Sequence, residues 1–171
     1  MREIQGSAGI SLIECINPKY NKYRVRWNIQ PYVNEDGEEQ GVSFYEEELT
    51  HKPTIDEIKS IIVAWYNAKI DEQILSGFVW NGLTVWLSSE NQFNYKAAYD
   101  LAVQTGGANL PITFKFGTTN EPVYHTFTTV EELNGFYLSA MAYINNTLAV
   151  GWSEKDSFDY TPYEEALKEF E

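Results

Sequence analysis

A strand, a turn, a second strand and then a capped helix follow one another three times along this chain. In the first unit Tyr23 to Ile29 and Val42 to Tyr45 read as strands, and a helix begins near Thr54. In the second, Gly77 to Trp80 and Leu83 to Leu87 flank Asn81-Gly82, with a helix from about Ser89. In the third, Ile112 to Phe116 and Val123 to Phe127 precede a helix from about Thr129. Units of this kind can pool their apolar faces into one interior. The expectation is an α+β fold: a single antiparallel sheet of six or seven strands built from three β-hairpin–helix units, with three longer helices mainly on one face.

The alternation that supports this is cleanest from Tyr23, where Tyr23, Val25, Trp27 and Ile29 point one way and Arg24, Arg26 and Asn28 the other. That period of two marks a strand with one buried face. Pro31 weakens its continuation or puts it at an edge. Asn34-Glu35-Asp36-Gly37 signals a turn, and Glu46 to Glu48 close the returning strand. Residues before Tyr23, with the apolar Ile10, Leu12 and Ile13, read either as an added strand or as a loose arm.

Each helix carries a start signal. Thr54 with Glu57, Ser89 with Gln92, and Thr129 with Glu132 have capping-box spacing, in which two side chains satisfy amide donors at the helix start. Behind them the apolar residues recur at helical spacing. Ile55, Ile58, Ile61, Ile62, Trp65 and Tyr66 do so in the first helix, and Phe93, Ala97 and Leu101 form a seam in the second. The longest stripe runs through Leu133, Phe136, Tyr137, Ala140, Met141, Ile144, Leu148 and Trp152. Gly77 and Gly106-Gly107 read as helix stops. Thr161 and Pro162 open a short terminal helix.

Asn81-Gly82 is a strong hairpin signal, because both positions of a type I′ turn need positive φ. That register pairs Trp80 with Leu83 and Phe78 with Val85 on one face, and leaves Val79, Thr84 and Trp86 on the other. An indole exposed beside a sheet is a platform for sugars or protein partners, since it offers large contact area for little lost entropy. Trp86, Val79 and Thr84 are therefore the candidate interaction surface. The commoner fate of such a tryptophan is to be covered by another helix or by the N-terminal arm.

Against this background, no assembled chemistry stands out. His51 and His125 fall in different units without further His or Cys ligands nearby, so no metal site and no catalytic residue is assigned. Cys15 is alone and lies in an apolar stretch, so no internal disulfide forms and the thiol reads as packing. The carboxylates Glu35, Asp36, Glu38, Glu39 and Glu46 to Glu48 do not have calcium-loop spacing and read as a solvated acidic rim. Gly106-Gly107 follows a helix, not a strand, so it is no phosphate cradle and no cofactor is expected.

With 25 acidic against 12 basic residues the formal charge is −13. Such a field opposes phosphate backbones and anionic lipid surfaces, so nucleic-acid and membrane partners are not expected. The start Met1-Arg2-Glu3-Ile4-Gln5-Gly6 has no apolar run of a secretion signal, and no stretch approaches a membrane span. The expectation is a cytoplasmically made, soluble protein. Two segments are expected, an N-terminal arm and β-hairpin over 1–52 and an α+β domain over 53–171, forming one compact unit together.

Two stretches carry a resemblance. One runs from Trp80-Asn81-Gly82 through Trp86-Leu87-Ser88-Ser89-Glu90-Asn91-Gln92-Phe93-Asn94 to Tyr99-Asp100-Leu101. The other is Phe114-Lys115-Phe116-Gly117 with Glu121-Pro122-Val123-Tyr124-His125. Together with Gly151-Trp152 they resemble a domain family of unknown function encoded by phages and prophages near tail genes, including those of gut Bacteroidales. The likeness spans about 54 to 160. It implies a non-enzymatic, virion-associated structural, assembly or interaction role, with other tail proteins or further copies of the chain as partners. It transfers no active-site residue. The alternative, from the aromatic content of 15%, is a carbohydrate-binding module with a glycan as partner.

Overall fold

The computed structural model describes residues 3–33 and 35–170. Asn34 of the expected turn, and Met1 and Arg2 of the expected start, lie outside the described residues. The fold class is α+β. In chain order the elements are β1 (Ile4–Gly6), β2 (Ile13–Asn17), β3 (Lys22–Val33), β4 (Glu39–Leu49), α1 (Ile55–Ser76), β5 (Phe78–Trp80), β6 (Leu83–Val85), α2 (Ser89–Thr105), β7 (Ile112–Gly117), β8 (Pro122–Phe127), α3 (Val130–Asp156) and α4 (Thr161–Lys168). All three expected hairpin–helix units are present.

They do not share one sheet. The strands form a four-stranded antiparallel sheet in the order β1-β4-β3-β2 and two separate hairpins, β5-β6 and β7-β8. The expected six- or seven-stranded sheet, with its single helix-covered face, is thereby corrected. The reason is local: β5 and β6 are only three residues each, and they meet the third hairpin through side chains, Trp80 against Phe116 and Phe127, instead of through a hydrogen-bonded ladder.

The chain divides into two compact units, one of residues 1–65 with 157–171 and the other of residues 66–156. The division falls inside α1 and returns the C-terminal helix to the first unit, where the sequence had placed a boundary at 52/53. Tyr163 on α4 is buried and its hydroxyl donates to the Arg26 carbonyl at 2.8 Å. Phe170 meets Tyr23 edge-on at 5.5 Å, and Lys52 Nζ donates to the Phe170 carbonyl.

In the first unit the N-terminal residues supply two strands, β1 beside β4 and β2 beside β3. Val25 and Trp27 are fully buried, as the alternation predicts, and Tyr45 bridges Trp27 to Trp65. A register shift between Trp27 and Gln30, with Asn28 at φ 51°, ends that alternation before Ile29. Pro31 falls where β3 has a ladder partner only on the β4 side, which is where a residue without an N–H is tolerated. Gly41 sits at φ 142°, and a Cβ there would collide with the Gly6 carbonyl, so its bare backbone lets β1 close on β4.

The second unit has its own interior of Phe78, Val85, Leu87, Tyr95, Ala102, Phe116, Phe127, Leu133, Phe136, Ala140 and Ile144. Asn81 and Gly82 have φ of 50° and 78°, and the ladder pairs Phe78 with Val85, Val79 with Thr84 and Trp80 with Leu83, as the turn type requires. Phe136 is ringed by Phe78, Trp80, Tyr95, Phe114, Phe116 and Phe127 at centroid distances of 5.0–6.3 Å. Burial pushes the Tyr95 hydroxyl up to about 12, so it stays neutral. The α3 stripe is buried through Ile144 but then turns onto Gly151, where a Cβ would strike Ile70, and Trp152 is 51% exposed. The steps of four residues from Ile144 to Leu148 and Trp152 each rotate by about 40° on a 3.6-residue helix and so carry Trp152 off the buried face.

Candidate functional site

Helix α2 is the element from which both candidate surfaces in the second unit are built. It begins at Ser89, as the sequence suggests, but its cap lies one residue earlier than the expected capping box. Ser88, not Ser89, is the cap: its Oγ accepts from the Asn91 amide at 3.2 Å. Gln92 Nε2 then reaches back to the Leu87 carbonyl and Asn91 Nδ2 to the Trp86 carbonyl, at 2.7 and 2.8 Å. These bonds fix the backbone at Trp86 just beyond the end of β6.

Trp86 is 48% exposed. Its ring makes no aromatic or cation–π contact among the described residues. The indole lines a cavity of about 420 Å³ together with Thr84 and Asn91 on one side and Lys115, Phe116, Gly117, Thr118 and Thr119 on the other. Lys115 projects from the face of β7 opposite Phe114 and Phe116, and its cross-strand neighbour is Tyr124. Thr118 Oγ1 accepts from the Glu121 amide at 3.1 Å, which leaves its O–H to donate. Of the three residues expected on this surface, Trp86 and Thr84 line the cavity. Val79, opposite Thr84 in the ladder and exposed, lies outside it.

The second surface overturns an expectation. Phe93, Ala97 and Leu101, spaced for a buried seam, are all exposed, Phe93 at 71% and Leu101 at 48%. The buried line of α2 is Tyr95, Ala98 and Ala102, rotated from the expected one. Tyr95 wins that place because it packs tilted against Phe114 and edge-on against Phe136, with centroids 4.7 and 5.0 Å away. Beside the open seam lies a groove of about 470 Å³ bounded by Asn94, Ala97, Leu101, Asn109, Ile112 and Phe114.

The remaining candidates resolve into structural roles. Glu46 departs from the expected solvated rim, being largely buried, whereas Glu48 stays exposed though paired. Arg26 Nε lies 3.2 Å from Glu46, and its terminal nitrogens reach Glu14 and the Ser11 carbonyl. Arg24 pairs with Glu48 at 2.6 Å and with Glu46 at 3.3 Å. The antiparallel register places Arg24 opposite Glu48 and Arg26 opposite Glu46, a pairing visible only once β3 and β4 are aligned. The Arg24 guanidinium holds the Glu48 carboxyl below its ordinary value.

Both histidines attach to the glutamate of a capping box. His51 Nε2 lies 2.7 Å from Glu57, and His125 Nε2 lies 2.9 Å from Glu132. The caps themselves form as expected, with Thr54 Oγ1 and Thr129 Oγ1 accepting the Glu57 and Glu132 amides. Cys15 is half-buried opposite Tyr23. Among the described residues no group of three or more His, Cys, Asp or Glu side chains is placed to hold a metal ion. Among them, too, no helix is long and apolar enough to cross a membrane.

The chain matches no protein-family model, and neither a curated protein nor a solved structure is significantly similar to it.

Proposed function

We propose that this is a non-enzymatic interaction protein associated with a phage or prophage tail, presenting a surface to another virion protein or to its own copies. The observation that carries the reading is the open seam Phe93–Ala97–Leu101, an apolar helix face of the kind proteins ordinarily bury. The resemblance of the segments around Trp80–Leu101 and Phe114–His125 to tail-associated phage domains supports the setting. Light scattering on the purified chain, with mass spectrometry of particles from an induced prophage, tests it. The chain is expected in the particles, and Phe93→Asp with Leu101→Asp is expected to remove it from them. A chain that is monomeric in solution and missing from the particles overturns the reading.

A second reading has its own observation. Trp86 stands half-exposed in a cavity whose other lining combines the hydroxyls of Thr84, Thr118 and Thr119, the Asn91 amide and the Lys115 ammonium with Phe116 and Gly117, an aromatic-plus-polar mixture suited to a glycan subsite. On this reading the protein contributes to recognition of a host surface. Binding of the chain to a glycan array, lost in Trp86→Ala, is the expected result. Silence across the array removes it.

A further inference from the structure

We infer that the Trp86 cavity takes a saccharide bearing a carboxylate, with Lys115 as the group that selects the charge; this deepens the glycan reading and rests on it. The chain carries 25 acidic residues, yet none of the residues lining this cavity is acidic, and its one charged group is an ammonium. Most cations elsewhere are engaged. Lys69 pairs with Glu154, Lys96 with Asp100, and Lys52 and Lys155 donate to the Phe170 carbonyl and the Asn67 amide. Lys115 makes no ion pair or hydrogen bond among the described residues.

The neutral groups around it have defined polarity. Asn91 spends its Nδ2 on the Trp86 carbonyl, so its Oδ1 is left to accept a sugar hydroxyl. Thr118 spends an Oγ1 lone pair on the Glu121 amide and keeps its proton to donate. The Trp86 face offers the apolar contact that the C–H side of a pyranose needs. A volume of about 420 Å³ lies at the small end of ligand sites. The net charge of −13 opposes a polyanion at long range, but salt screens distant carboxylates over about 8 Å, while a contact with Lys115 is direct. That balance favours a singly charged ring over a nucleic acid. An acidic peptide would satisfy Lys115 but would leave the hydroxyl-directed groups with little to do.

The test begins with the full chain on an array of neutral, uronic-acid and sialic-acid glycans. Titrations then follow, using the methyl glycoside of galacturonic acid, its methyl ester and a blocked peptide with a single glutamate. The acid is expected to bind about tenfold tighter than the ester, the effect of one charge-assisted hydrogen bond. That preference should shrink at high salt. Lys115→Gln should abolish the preference and keep ester binding, and Trp86→Ala should lose both ligands. Equal affinity for acid and ester, or binding confined to neutral glycans, overturns the inference and leaves the glycan reading standing. Peptide binding as tight as the uronide overturns the saccharide assignment. Silence over the whole array removes the glycan reading and this inference together. The acid-against-ester comparison on the unaltered chain holds even if a variant folds poorly.

Discussion

At Gly77 the chain leaves α1 and passes under Tyr143, whose hydroxyl donates to the Gln73 carbonyl at 2.7 Å. A methyl group on Gly77 would collide with that hydroxyl and come within 2.7 Å of the Gln73 oxygen. Gly77→Ala is therefore expected to destabilise by about 1–3 kcal/mol, the usual cost of overpacking. In a Tyr143→Phe background the same change should cost less, because the two substitutions share one contact. Urea midpoints of the four chains measure it, and strict additivity contradicts the account. Arg26 is a harsher position: only 6% exposed, it faces Glu46 and Glu14. Arg26→Ala leaves the largely buried Glu46 with Arg24 as its remaining partner and removes the buried guanidinium, a loss of about 2–4 kcal/mol. Trp86→Ala, by contrast, removes a half-exposed ring and should shift stability by no more than about 0.5–1 kcal/mol. A large loss of stability there would mean that the indole is serving the core.

The helices are where local chemistry can be read most directly, and α2 offers a sharp comparison. Ser88→Ala removes the oxygen that accepts the Asn91 amide and is expected to cost about 1 kcal/mol, whereas Ser89→Ala should be nearly silent. Thermal melts of the two variants distinguish the caps. For α1, the Glu57 carboxyl is held at about 2, below its ordinary 4.5. The Thr54 amide contributes most, then His51, then the Thr54 hydroxyl. A folded-state value lower than the unfolded one stabilises the fold fully above about 4.5, and that contribution is lost as the pH falls toward about 2. Melting temperature against pH should fall less steeply across that window in Glu57→Gln than in the unaltered chain. The capping boxes at Thr54 and Thr129 were legible because a cap spans three residues of sequence. At Ser88-Ser89 two adjacent serines fit the same pattern, and the contest was settled by Asn91 and Gln92 reaching back to Trp86 and Leu87.

Considered as a whole, the molecule uses its last segment to complete its first. Tyr163 is 137 residues from Arg26 in sequence and hydrogen-bonds to its carbonyl from a buried position. Tyr163→Ala is expected to cost about 3–5 kcal/mol. Hydrogen exchange should quicken first in β2 and β3, and unchanged protection of those strands would contradict the assignment of α4 to their unit. From sequence alone followed the class of fold, the three hairpin–helix units, two of the caps and the two faces of the Asn81-Gly82 hairpin. These rest on periodicity and on contacts a few residues apart. Contacts between distant residues did the rest. They split the strands into three sheets, set arginines against the glutamates of β4, and turned Tyr95 inward so that the Phe93 seam faces out. They also brought Lys115 on β7 to the wall beside Trp86. A strand's pattern states which side chains share a face, but which other strand or helix covers that face depends on which packing buries the most apolar surface without stranding a charge.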